Sequence, residues 1–156
     1  MDNQEIVAHY PRPPRLEPTT RHLVVKFAGQ IVAETRRGWR VLETGHPPTY
    51  YFPPQDVRLE WLVPQRRRSY CEWKGLAHYY DIVAPERRAR EAAWAYPHPT
   101  PPFAELAGCL AFYAHLMDEC LVNGAQVRPQ AGGFYGGWIT HDLIGPFKGD
   151  ADFQGW

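Results

Sequence analysis

The chain is 156 residues long, the size of one domain that can bury a core without disulfides or a structural metal. Lysine plus arginine and aspartate plus glutamate both number 17, so no net field draws it to nucleic acid or to an anionic membrane, and neither is expected as a partner. The three cysteines, Cys71, Cys109 and Cys120, include no Cys-x-x-Cys pair, which argues against a disulfide framework or a Cys-rich zinc site and fits a reducing cytoplasm.

Residues 1–21 hold Pro11, Pro13, Pro14 and Pro18, which remove amide donors and bias their neighbours toward extended backbone. The segment reads as an arm draped over the domain. With Asp2, Glu5, Arg12 and Arg15 it lacks the unbroken apolar stretch of a signal peptide, and no later run approaches the ~18 apolar residues of a membrane span. From His22 short β-branched and aromatic runs begin. Leu23 to Phe27 and Ile31 to Ala33 flank Ala28-Gly29-Gln30 and predict a hairpin. A strand over Trp39 to Thr44 and an aromatic run at Tyr50, Tyr51 and Phe52 follow, stopped by Pro53-Pro54. Residues 54–57 read as a single turn.

Leu59, Trp61 and Val63 alternate with Glu60 and Leu62, the pattern of a half-buried strand. Arg66, Arg67 and Arg68 read as a basic loop and Arg87 to Arg90 as an exposed connection, with strands over Ser69 to Trp73 and Leu76 to Val83. Phe103, Leu106, Ala107, Leu110, Ala111, Tyr113, Ala114 and Met117 fall on a 3.6-residue stripe. With Thr100 as cap and Pro101 in the first turn, they predict one α-helix in the C-terminal half. Asn123-Gly124 predicts a type I′ hairpin turn, which ends a domain read over residues 22–130. The tail, residues 131–156, mixes seven glycines with Phe134, Tyr135, Trp138, Ile139, Phe147, Phe153 and Trp156. That much apolar surface predicts a tail packed on the domain rather than a free linker.

Three segments, Tyr50-Tyr51-Phe52-Pro53, Cys71-Glu72-Trp73-Lys74-Gly75 and Trp94-Ala95-Tyr96-Pro97, resemble in order and spacing the family known as domain of unknown function 427. The resemblance runs over residues 22–116, and the Gly/aromatic tail looks like an extension carried by some members. It implies a mainly β domain similar to the antiparallel β-tent of methionine sulfoxide reductase B and of the cereblon ligand-binding domain. Many relatives of that fold hold zinc through paired Cys-x-x-Cys motifs; this chain has neither pair, so no metal and no cofactor carries over. The family is labelled nucleotidyltransferase-like in places, but the chain lacks the Gly-Ser and paired-Asp pattern of that chemistry.

Cys71 and Lys74 lead the candidate site residues, because an amine beside a thiol favours the reactive thiolate. Cysteine is also among the most buried residue types, so packing is the competing reading. Lys74 precedes Gly75, where backbone can approach a ligand and the ammonium can meet a carboxylate or phosphate. Tyr51, Tyr79, Trp94 and Tyr96 are candidate walls of an aromatic ligand pocket, with Tyr50, Tyr80 and Trp73 as further members. Side chains alternate along a strand, so only one of Tyr50/Tyr51 and one of Tyr79/Tyr80 can face it. Glu43 and Asp56 are candidate acid/base groups or partners for Lys74 or Arg40. His78 is the histidine nearest the Cys71/Lys74 segment, and none of the seven pairs at metal-ligand spacing.

Three functions stay open. The first is a protein binding a small polar or anionic molecule in an aromatic pocket anchored by Lys74. The second is a thiol-dependent enzyme with Cys71 as catalytic nucleophile and His78 or Glu43 as base. The third is a non-enzymatic interaction module, including a homodimer formed through the tail or the arm.

Overall fold

The structure, a computed structural model, describes residues 4–151 and 153. Among these, fifteen strands run in chain order: β1 (Glu5–Ile6), β2 (Arg15–Thr19), β3 (Leu23–Phe27), β4 (Gln30–Thr35), β5 (Gly38–Leu42), β6 (Thr49–Tyr51), β7 (Leu62–Cys71), β8 (Gly75–Val83), β9 (Arg88–Ala95), β10 (Ala111–Phe112), β11 (Glu119–Val122), β12 (Ala125–Gln126), β13 (Arg128–Pro129), β14 (Trp138–Ile139) and β15 (Leu143–Ile144). They form three antiparallel sheets, ordered β10-β9-β8-β7, β12-β11-β3-β4 and β2-β5-β6, and two small pairs, antiparallel β13-β14 and parallel β1-β15. The fold is thus mainly β, as expected. Both predicted hairpins form, Ala28-Gly29 joining β3 to β4 and Asn123-Gly124 joining β11 to β12, with φ positive at all four turn residues. No helix among the described residues is long and apolar enough to cross a membrane.

The expected α-helix does not form. Pro101–Leu106 is a 3-10 segment broken at Phe103 (φ −116°, ψ 22°), Gly108 takes φ 75°, and β10 and a 3-10 turn at Ala114–Leu116 follow. The apolar run misleads because it is buried from two sides. Leu110 and Phe112 enter one core cluster, while Cys109, Ala111 and Tyr113 enter another, so the true period is two. A continuous apolar run cannot distinguish the two periods. Thr100 makes no side-chain cap; its hydroxyl donates instead to the Trp73 carbonyl at 2.5 Å.

Two smaller expectations also change. Leu59–Trp61 is a 3-10 turn, with the strand beginning only at Leu62. Arg66, Arg67 and Arg68 lie within β7 rather than in a loop, across an irregularity in its pairing with β8 between Pro64 and Arg68. An edge strand tolerates both the proline and the charges, which also discourage edge-to-edge pairing. Residues 5–19 of the arm supply β1 and β2. Arg40 on β5 fastens them, its guanidinium donating twice to Glu5 at 2.9 Å and once to Glu17 at 2.6 Å.

Strand alternation separates two cores and so creates the site. Tyr50 and Phe52 face the large cluster between the sheets, with Phe27, Ile82, Phe112 and Trp138. Tyr51, between them, faces a second cluster with Tyr79, Trp94, Tyr96 and Tyr113. Tyr80 packs with the first cluster, opposite Tyr79. A third cluster joins Val7, Tyr10 and Leu42 to Ile139 and Phe147 of the tail. Phe147 and Trp138 are buried, whereas Phe134 is 53% exposed. Trp156 lies outside the described residues.

Candidate ligand cavity

The second cluster opens into a cavity of about 480 Å³. Tyr51 reaches it from β6, Ser69 and Cys71 from β7, Tyr79 from β8, Trp94 from β9, and Tyr96 from just beyond. The β7–β8 turn adds Trp73 and Lys74. That turn closes at Gly75 (φ 109°), which pairs with Cys71, and the Thr100 amide pins it by donating to the Lys74 carbonyl at 3.0 Å. The tail supplies the facing wall through Phe134, Tyr135, Gly136 and Lys148, and the segment between β5 and β6 brings Glu43 and His46.

The tyrosine wall is a connected polar network on an apolar base. The Trp94 indole, which can only donate, lies near the Tyr51 hydroxyl. The Tyr79 hydroxyl meets that of Ser69 at 2.8 Å, and Tyr113 contacts the tail by donating to the Phe134 carbonyl at 2.8 Å. Burial raises the pKa of Tyr51, Tyr96 and Tyr113, so these phenols stay neutral donors and acceptors.

Lys74 is the cation set into this wall. Its Nζ lies 5.6 Å from the Tyr96 ring centroid and close enough to Cys71 to feel it. Burial works against its charge, but Tyr51 and Cys71 in their ionised forms, with the Glu43 carboxylate, outweigh that and hold its pKa above the ordinary lysine value. No carboxylate among the described residues lies within 4 Å of its Nζ. Glu43 is 3.9 Å from Arg12, whose guanidinium sits 6.0 Å from the Trp73 ring.

His46 and Gln130 form the opposite edge. Gln130 Nε2 donates to the Lys148 carbonyl at 2.8 Å and to His46 Nδ1 at 3.1 Å, while its Oε1 accepts the Gly137 amide at 3.1 Å. The two backbone partners fix which end of the amide is which. Burial, together with Lys148 and Lys74, lowers the His46 pKa to about 4, so the imidazole is neutral at pH 7.

The structure thus brings Cys71, Lys74, Tyr51, Tyr79, Trp94 and Tyr96 around one cavity, with Glu43 and Trp73 beside them. Three other sequence candidates lie elsewhere. His78 does not line the cavity, because it alternates with Tyr79 on β8. Asp56 accepts from Arg37 and Thr35, and Arg40 is taken by Glu5 and Glu17. Sequence reasoning missed Tyr113, hidden in the false helical stripe, and the group Arg12, His46, Gln130 and Lys148. The last four lie far apart in the chain and carry no shared motif.

A family model described as Domain of unknown function (DUF427) matches residues 15–123. No curated protein matches the chain. The matched span contains the tyrosine wall, Cys71, Lys74 and His46, and leaves out the tail residues that face them.

Proposed function

The chain belongs to the DUF427 family, and from that premise we propose that it binds a small anionic molecule in the aromatic cavity, with Lys74 as anchor. The observation that carries the reading is a lysine amine set among phenols and aromatic rings of one cavity, with no carboxylate of the described residues within 4 Å. A preformed concave site with apolar walls and a few converging polar groups suits a ligand of tens of atoms, and 480 Å³ lies in the range of such pockets. The three free cysteines suit work in a reducing cytoplasm. The same proposal takes the packed antiparallel sheets as the β-tent that the family resemblance implies.

Calorimetric titration with benzoate tests the reading. Benzoate should bind the unaltered protein, and Lys74→Met should weaken it by about tenfold or more, the loss of one charged hydrogen bond. Binding unaffected by Lys74→Met would remove Lys74 as anchor.

One contact favours a second reading, in which Cys71 is the nucleophile of a thiol-dependent enzyme. Its half-buried thiol opens onto the cavity close to Lys74. Iodoacetamide should then alkylate Cys71 in preference to the buried Cys109 and Cys120, and more slowly in Lys74→Met. Equal labelling rates in the two proteins would leave Cys71 as a wall of the pocket.

A further inference from the structure

We propose that the ligand is a carboxylic acid, its carboxylate oxygens accepting from the hydroxyls of Tyr51 and Tyr96 and from the ammonium of Lys74. This rests on the anion-binding reading above, and it names the class of anion and two further donors.

The tyrosine wall divides into phenols that have a partner and phenols that do not. Tyr79 shares a hydrogen bond with Ser69, and Tyr113 donates to the Phe134 carbonyl, both at 2.8 Å. Tyr51 and Tyr96 also line the cavity and are buried, 1% and 6% exposed. Neither gives its hydroxyl proton to an acceptor among the described residues. Their neighbours add donors instead. The Trp94 indole near the Tyr51 hydroxyl can only donate, and the same holds for the Lys74 ammonium, which is close enough for Tyr51 to feel. The Tyr51 and Tyr96 rings are 6.4 Å apart between centroids and Lys74 Nζ is 5.6 Å from the second, so the three donors stand together.

A surplus of donors selects the ligand. Burial keeps both phenols neutral, so each holds a proton to give, and a buried donor left unpaired costs about 1–3 kcal/mol. A group that only accepts removes that cost. An ionised carboxylate is such a group, with one negative charge to set against Lys74 and two oxygens that together offer about four acceptor sites. A primary amide would turn an N–H toward a wall of donors. A phosphomonoester brings nearly two charges at neutral pH, and burying the second against neutral phenols is costly. Arg12, Glu43, Glu72 and Lys148 also border the cavity, Arg12 3.9 Å from Glu43 and Lys148 5.4 Å from the Tyr135 ring, and none of the three donors depends on them.

Benzoate, benzamide and phenyl phosphate, titrated against the full chain by calorimetry at pH 7.5, test this. Benzoate should bind about tenfold or more tighter than either of the others, the worth of one hydrogen bond to a charged group. Tyr51→Phe and Tyr96→Phe should each weaken benzoate by about tenfold for the same reason. Thermal melts without ligand give a readout that a structural role would move. Tyr96→Phe loses no bond donated within the protein, so its Tm should match or exceed that of the unaltered chain, whereas Tyr113→Phe, which gives up the Phe134 carbonyl, should melt lower. Lys74-dependent benzoate binding that survives both Tyr→Phe changes, or a Tm that drops in Tyr96→Phe as it does in Tyr113→Phe, would overturn the role of the phenols and leave the anion site standing. Phenyl phosphate bound as tightly as benzoate would overturn the carboxylate. If neither compound binds in a Lys74-dependent way, both proposals fall.

Discussion

Gly136 is pressed against the indole of Trp94: a Cβ built on its backbone would lie 2.0 Å from Cη2 and 2.8 Å from Cζ2 of the ring. The glycine lets the tail backbone form one wall of the cavity directly on the indole of another. Trp94 has little room to yield, since it is buried and its ring lies 4.6 Å from that of Tyr113.

Gly136→Ala should therefore overpack the wall and cost about 1–3 kcal/mol. At roughly 2–4 °C per kcal/mol for a chain of this length, calorimetry should record a clearly lower Tm. Tryptophan fluorescence should shift with it. A Tm equal to that of the unaltered protein would mean that the tail does not seat on Trp94.

Trp138 ties the tail to the main core. It is 1% exposed, its indole donates to the Phe112 carbonyl at 3.1 Å, and its ring meets Tyr50 and Phe52 at 5.5 and 6.0 Å between centroids. Trp138→Ala should lower stability by about 3–5 kcal/mol in urea unfolding. Deleting residues 131–156 removes this ring together with the Phe134–Gly136 wall, so the shortened chain should lose stability as well as ligand affinity. Unchanged stability after that deletion would make the tail a passive extension.

How much of this was legible in the sequence depends on whether the chemistry was local. The hairpins at Ala28-Gly29 and Asn123-Gly124 were readable, because turn residues act on their own neighbours. So was the opposition of Tyr50 and Tyr51, because strand geometry alone requires it. The helix over residues 101–117 was misread because two cores bury opposite faces of that run, and only the tertiary structure says that there are two. The site was half legible for the same reason. Its tyrosines, Cys71 and Lys74 sit in compact motifs, whereas His46, Gln130 and Lys148 meet only when the tail folds back.

Acid should loosen the junction of arm and sheet. The Arg40 guanidinium, hydrogen-bonded to Glu5, holds that carboxyl below the ordinary value of 4.5, against the opposing effect of burial. With the folded-state pKa depressed, the stabilisation is complete above about 4.5 and is lost as pH falls through the lower, folded value. Thermal melts between pH 3 and 6 should show a steep acid limb that Glu5→Gln flattens, at the cost of a lower Tm at pH 6. Parallel curves for the two proteins would exclude Glu5 as its source.

The last prediction concerns His46 and separates it from Glu5 by its pH window. Burial, Lys148 and Lys74 lower its pKa from 6.5 to about 4, and the Gln130 N–H directed at Nδ1 leaves the proton of the neutral ring on Nε2. Below about pH 6.5 the unfolded chain takes up a proton that the folded chain refuses, so stability should decline from there toward pH 4. His46→Gln should remove that part of the decline while leaving the limb below 4.5. Nitrogen-15 NMR of the imidazole should show the Nε2–H form and a midpoint near 4; a midpoint near 6.5, or an Nδ1–H ring, would refute the assignment. Gln130→Glu provides the complementary test. A carboxylate in place of the amide cannot donate to Nδ1 but accepts a proton from it, so the midpoint should rise, and the Lys148 carbonyl, left without its 2.8 Å donor, should make the variant less stable at every pH.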